Sequence, residues 1–283
     1  MRQQRDLWKR SFGDSDEYID YYFEHKVPKS ICLTDYEDET LCSMAFLTPY
    51  EADLFGEVKS IPYLVGVATD SAYRHQGKMT KMLKEAFAQL CEKGVPLVFL
   101  SPADTAIYKG LGFVSYHWRE TMVLCGRGEH SLQICPWAVL KRDEKNFVAE
   151  KVENLLRAER FDLHLIHSAT YYEEVNCELQ ALNGAVWTVW KNGTPIAAAN
   201  YICEEGKHEF TEVVCDRQEA CDVLNNFMHE LSLEKIFVED CYFLQNAKTM
   251  AQKVEKQVHP YIMIKKLGVD ERAVRTCYIN DIT

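Results

Sequence analysis

One stretch constrains this chain more than any other: residues 63–90, YLVGVATDSAYRHQGKMTKMLKEAFAQL. It opens with an apolar, β-branched run (Leu64, Val65, Val67) of the kind that forms a buried strand. Thr69-Asp70-Ser71 makes a polar turn, and Arg74-His75-Gln76-Gly77-Lys78 follows. From Met79 the period changes. Met79, Met82, Leu83, Ala86, Phe87 and Leu90 fall on one face of a helix. The stretch therefore reads as strand, basic glycine-bearing turn, helix. Such a junction presents backbone N–H groups and the positive end of the helix dipole, where a phosphate can sit. Gly77 permits close approach to the backbone, and Arg74 and Lys78 add charge.

The chain has 283 residues, more than one core ordinarily fills, so two domains are expected. No apolar run approaches the ~18 residues of a membrane span. The opening MRQQRDLWKRSF carries charge without the apolar segment of a secretory leader. A cytoplasmic protein with no membrane partner is expected. The eleven cysteines contain no C-x-x-C pair. They read as small buried hydrophobes in a reducing compartment, with no metal bound. A net charge of −11 argues against a nucleic-acid partner and leaves room for a cationic one.

Before the central stretch, Leu7, Trp8 and Phe12 suggest a first helix. Asp14 or Ser15 can cap a second, with Tyr18, Tyr21, Tyr22 and Phe23 as its aromatic face. Strands are expected at 30–34 and 41–47, and residues 49–56 read as a loop bordering a substrate site. After it, residues 97–100 form a buried strand parallel to the first, and a short helix carries Ile107, Tyr108 and Leu111. Residues 113–116 and 119–124 read as a closing antiparallel pair. The expected boundary divides a first domain, 1–128, from a second, 129–283. The second repeats the order β-β-β-α-β-α-β, with its clearest hairpin turning at Asn192-Gly193, a helix over 242–257 and a last strand at 261–265. Its turn before the central helix, Cys215-Asp216-Arg217-Gln218-Glu219-Ala220, has two acids and no glycine, so one working site and one structural copy are expected.

The strand, the Arg74-x-x-Gly77 turn and the helix resemble motif A of the GNAT acetyltransferases. SPADTAIYKGLGF, residues 101–113, resembles their motif B. The phrases LWKRSFGDSDEYIDYYF, VGVATDSAYRHQGKM and AIYKGLGFVSY look like the Eis-like branch, here without its C-terminal sterol-carrier-like domain and without the usual first strand. Met79 stands where the motif ordinarily has a small residue. The resemblance implies an α/β fold of mixed sheets, with two tandem GNAT-like acyl-CoA N-acyltransferase folds. It implies acetyl-CoA as co-substrate and transfer of acetyl to a primary amine, on a small molecule or a lysine. A homo-oligomer is compatible with it.

The same resemblance implies roles for residues. Val65, Val67 and Thr69 would run beside the pantetheine arm, and Arg74, His75, Gln76, Gly77, Lys78 and Met79 would surround the pyrophosphate. Tyr108 matches the general acid that protonates the departing thiolate. Ser101 either touches the cofactor or caps its helix. The base is open among His25, His117, Glu120, Glu51, Asp53 and a water chain. His164 and His167 lack the spacing of a helical zinc pair. The competing readings are a CoA-binding sensor or interaction protein with a lapsed catalytic step, and transfer of a longer acyl group, which pocket volume would decide.

Overall fold

The computed structural model describes residues 1–117, 119–126, 131–256, 261–268 and 272–279. The chain forms two compact units: Met1–His117 with Pro260–Ile279, and Trp118–His259 with Asn280–Thr283.

The first unit opens with α1 (Arg2–Phe12), which ends at Gly13 in the left-handed conformation, φ 75°. Ser15 caps α2 (Asp16–Tyr21) through the Tyr18 N–H, and a π-helical turn, Tyr22–Lys26, continues it. Trp8 gathers Tyr22, Phe23 and Phe46 around its indole at centroid distances of 4.6, 5.8 and 5.9 Å. Three antiparallel strands follow: β1 (Ile31–Glu37), β2 (Thr40–Leu54) and β3 (Glu57–Thr69). Residues 49–56, expected as a loop, instead extend the β2–β3 ladder to a turn at Phe55-Gly56, with Ala52, Asp53 and Leu54 all buried before the turn. α3 (Lys78–Glu92) buries Met82, Leu83, Ala86, Phe87 and Leu90, the face its spacing predicts. β4 (Leu97–Leu100), α4 (Thr105–Lys109) and β5 (Val114–His117) complete this part.

The second unit runs β6 (Glu120–Cys125), β7 (Gln133–Pro136), α5 (Arg142–Ala158), β8 (Leu163–Leu165), α6 (Ala169–Ala181), β9 (Ala185–Lys191), β10 (Thr194–Glu204), β11 (Lys207–Cys215), α7 (Ala220–Glu230), β12 (Lys235–Val238) and β13 (Lys253–Lys256). The β9–β10 hairpin turns at Asn192-Gly193, both at positive φ, as its sequence predicts. Between β12 and β13 the expected long helix is a 3₁₀ segment, Tyr242–Met250, followed by strand β13. The chain then returns to the first unit as β14 (Ile262–Lys266).

The sequence predicts that β5 and β6 pair with each other. They do not. β14 lies between β4 and β5, antiparallel to both, and β6 lies between β12 and β13. β6 thus precedes the expected boundary and enters the later sheet, while β14 follows it and enters the earlier one. Local pattern marks a segment as a strand, but its hydrogen-bond partner is a non-local choice.

The expected burial of the cysteines also fails in part. None of the eleven is in a disulfide. Cys42, Cys215, Cys241 and Cys277 are buried, and burial pushes the Cys215 and Cys241 thiols up to about 12. Cys91 and Cys125 are exposed. Cys91 lies on the outer side of α3, where its thiol donates to the Leu267 carbonyl.

Candidate acyl-CoA site in the first unit

The site begins with a fault in a strand. The β2–β3 register slips between Met44↔Ala68 and Phe46↔Val65, so Ala45 faces both Gly66 and Val67. This is a β-bulge. Gly66 takes φ +61°, and a Cβ there would lie 2.4 Å from Trp8 Cζ3 and 3.0 Å from Phe46 Cδ2. Backbone conformation and space both require glycine. An isolated glycine in a strand pattern is the signal that reveals such a bulge. Beyond it, β3 stays with β2. β3 and β4 are in parallel register at Tyr63↔Phe99, while β4 continues with β14. The two strands therefore diverge, and Val65, Val67 and Thr69 are only half-buried along the opening.

The turn that follows is held by its own side chains. Asp70 accepts from the Ala72 N–H at 3.1 Å and pairs with Arg10 at 2.8 Å. Arg74 Nε donates to the Thr69 carbonyl at 3.1 Å, and the Gln76 amide donates to the Ala72 carbonyl at 3.1 Å. His75 and Gly77 both take positive φ, 62° and 77°. The first hydrogen bond of α3 runs from the Lys81 N–H to the Gly77 carbonyl, and no side chain caps this end. The N–H groups of Lys78, Met79 and Thr80 lie ahead of the helical ladder, directed out of the helix start.

A groove of about 500 Å³ lies over this junction. Of the residues predicted for the cofactor, Val67, Thr69, Arg74, His75, Gly77, Lys78 and Met79 line it. Val65, Gln76 and Tyr108 do not: Val65 lies deeper between the strands, and Gln76 turns back onto the loop. Sequence reasoning missed the far wall. Ser11 and Phe12, at the end of α1, and Ile107, on α4, face the groove, with Phe12 44% and Ile107 46% exposed. A Cβ on Gly77 would meet nothing within 4 Å, so the backbone there is open to a ligand.

Charge is more constrained than the sequence suggests. Lys78 Nζ lies 2.8 Å from Glu37 and 3.6 Å from Asp35, both on β1, and 5.5 Å from the centre of the Tyr73 ring. The hydrogen bond to Glu37 holds its ammonium above the ordinary lysine range. Positive potential for an anion therefore rests mainly on Arg74 and the helix start.

Tyr108 sits on α4, whose cap is Asp104, accepting from the Ala106 N–H at 2.8 Å; Ser101 is not the cap. Its ring is buried edge-on against Phe113, centroids 5.8 Å apart. Burial pushes the phenol up to about 12, so it keeps its proton throughout the neutral range.

Of the candidate bases whose side chains are described, His25, Glu51, Asp53 and Glu120, none lines the groove. His25 is exposed and stacks on Tyr21 at 5.2 Å. Glu51 is exposed, and Asp53 accepts from the Gly56 N–H at 2.7 Å to close its hairpin. Glu120 belongs to the second unit and pairs with Lys248. The His117 side chain lies outside the described residues.

The second unit keeps the bulge and fills the turn. The β10–β11 register slips at Thr211. In the turn that follows, Arg217 makes a two-pronged pair with Glu159 at 3.1 and 3.0 Å and stands 4.9 Å from the centre of the Tyr242 ring. Glu219, the cap of α7, is held by Lys191 at 2.7 Å. His164 and His167 serve a buried network. Glu153 accepts from His164, from Arg157 and from the His167 N–H, while His167 reaches Glu212 at 3.2 Å and the Leu165 carbonyl at 2.8 Å. Both ring nitrogens of His167 face acceptors. Burial alone would lower its pKa, but Glu212 outweighs burial and raises it.

The same architecture occurs in known proteins. Residues 1–115 match the family model described as acetyltransferase (GNAT) domain. No curated protein matches the sequence. Among solved structures, a probable N-acyltransferase from Enterococcus faecalis superposes with a TM-score of 0.72 at 19% identity, covering 94% of this chain and 69% of its own. A GCN5-related N-acetyltransferase from Anabaena variabilis gives 0.68 at 13% identity, with 95% and 70% covered. Eis1 from Mycobacterium abscessus gives 0.62 at 9% identity, with 95% and 71% covered. At these identities the structures speak for the fold, and the family rests on residues 1–115. The GNAT acetyltransferase match thus covers residues 1–115, which hold the bulged strand and the uncapped helix start, and the chain as a whole shares the fold of these solved structures.

Proposed function

We propose that this protein is an acetyl-CoA-dependent N-acetyltransferase acting on a primary amine. The observation that carries this is the groove over the β3–α3 junction, where an uncapped helix start, Arg74 and an open glycine converge. A pyrophosphate would accept from the N–H groups of the helix start. The pantetheine arm would run along Val67 and Val65, paired with the backbone that the bulge frees. The amine, giving up a proton to a water chain, attacks the thioester carbonyl carbon; the C–S bond breaks, the thiolate takes a proton from Tyr108, and the phenol is restored by a proton returned from water. At about 12 the phenol is a weak acid toward an ordinary thiolate. The transfer is therefore concerted with C–S cleavage in a site that also desolvates the sulfur and makes it more basic.

Thermal unfolding with CoA and acetyl-CoA tests the reading. Both ligands are expected to raise the midpoint of the wild type. Gly77→Glu should abolish the shift by placing a carboxylate where the phosphates sit. Gly56→Glu, an equally strained substitution at a distant turn with φ +84°, should retain it. A wild type indifferent to both ligands sinks the proposal.

A second reading, a CoA-binding protein without catalysis, has one observation in its favour: Tyr108 does not line the groove. Tight binding with no thiol release across an amine panel would select it.

A further inference from the structure

The opening between β3 and β4 has a closed end, and what closes it bears on which acyl group fits. The apex is the Tyr63↔Phe99 bridge. From Thr69, at the groove, to Tyr63 is six residues, ~20 Å at ~3.3 Å per residue. An extended pantetheine arm spans that length with little to spare. Both rings at the apex are buried, their centroids 5.0 Å apart, and Tyr50 meets each of them edge-on at 6.0 Å. Behind Tyr50 stands Lys26, 3% exposed, at the end of the π-helical turn. Its Nζ lies 3.3 Å from the Tyr50 hydroxyl and 5.3 Å from the ring centre.

We infer that Tyr50, Tyr63 and Phe99 form an acyl-length gate that admits two- and three-carbon acyl groups and rejects medium and long chains. The inference rests on the acyl-CoA reading above. A short acyl group ends before the rings. A longer one must push packed aromatic side chains off their rotamers, and cores resist such overpacking. It would also drive hydrocarbon toward the buried Lys26 ammonium, a charge that hydrocarbon cannot solvate. The three rings are specificity-determining residues: they stand beyond the end of a short acyl group, away from the reacting atoms.

Titration calorimetry of the full chain with CoA, acetyl-CoA, butyryl-CoA and octanoyl-CoA tests this without knowledge of the acceptor. The wild type is expected to bind octanoyl-CoA about tenfold or more weakly than acetyl-CoA. Tyr63→Leu and Phe99→Leu, which shrink the plug, should narrow that ratio, while Tyr63→Phe, which keeps the ring, should preserve it. Thermal unfolding of each variant shows whether it is folded, and the wild-type ratio decides the matter even where a leucine variant is not. Octanoyl-CoA binding as tightly as acetyl-CoA to the wild type leaves the acyl-CoA reading standing and overturns the gate. A ratio unmoved in folded leucine variants overturns it too. No binding of CoA or any thioester overturns the acyl-CoA reading, and the gate with it.

Discussion

Lys78, the first residue of α3, lies 2.8 Å from Glu37, the last residue of β1. The second unit carries the same contact with the charges exchanged: Lys191, the last residue of β9, holds Glu219, the cap of α7. Each helix start is tied to the end of the corresponding strand, and in the first unit the tied cation lines the groove. Glu37→Gln should release that cation toward a bound phosphate. Affinity for CoA is expected to rise about two- to fivefold at low ionic strength, the range of one exposed ion pair, with the gain fading in salt. Affinity unchanged at every salt concentration would mean that Lys78 does not reach the phosphates.

Gly66→Ala tests the bulge. The added methyl would overlap the Trp8 indole and force a positive φ on alanine. Overpacking and the left-handed conformation together should cost about 2–5 kcal/mol. Denaturant unfolding should register this, and acetyl-CoA affinity should fall in whatever fraction remains folded, because the bulge sets the path of Val67. A loss below about 0.5 kcal/mol would refute the packing argument.

For Tyr108→Phe, turnover should drop roughly 10²-fold while the dissociation constant for acetyl-CoA stays within about twofold, since a general acid acts only in the transition state. Thiol release over an amine panel measures the first, and calorimetry the second. Because burial holds the phenol near 12, the alkaline limb of the wild-type pH profile should not contain Tyr108 below about pH 11. Turnover that survives the substitution would remove Tyr108 from the mechanism.

The buried network of the second unit predicts a pH window. His167 titrates above its ordinary 6.5 in the folded chain, so its contribution is complete below 6.5 and is lost as pH rises through the folded value. Glu153 is held down to about 2, with His164 and Arg157 overcoming the effect of burial, so its contribution is present above 4.5 and is lost as pH falls toward 2. Stability should therefore be greatest between these limits. His167→Gln, which leaves Glu212 buried without its cation, should cost about 3–5 kcal/mol at pH 6 and flatten the decline on the alkaline side. Unfolding midpoints of the full chain from pH 3 to pH 9 would show both effects.

Some of this was legible in residues alone. The stretch over residues 63–90 encodes strand, turn and helix because its apolar period shifts from two to 3.6 at a glycine, and motif A is a local pattern of just this kind. The Asn192-Gly193 hairpin is legible for the same reason: the turn's backbone demands those residues. The acidic turn at 215–220 likewise announces charged side chains, and Arg217 and Glu219 are each held by a partner there.

Tertiary structure decided the rest, because the deciding contacts join residues far apart in the chain. β5 and β6 look like neighbours and enter different sheets, since strand pattern carries no record of its partner. Phe12 comes to the groove wall from the far end of α1. Lys78 reads as a free cation until β1 brings Asp35 and Glu37 beside it. Met79, the residue of the stretch that fits its motif least, lies on the apolar stripe of α3 and at the groove at once. Its sequence determined that a helix begins there; only the divergence of β3 from β4 made that beginning a place where a ligand can lie.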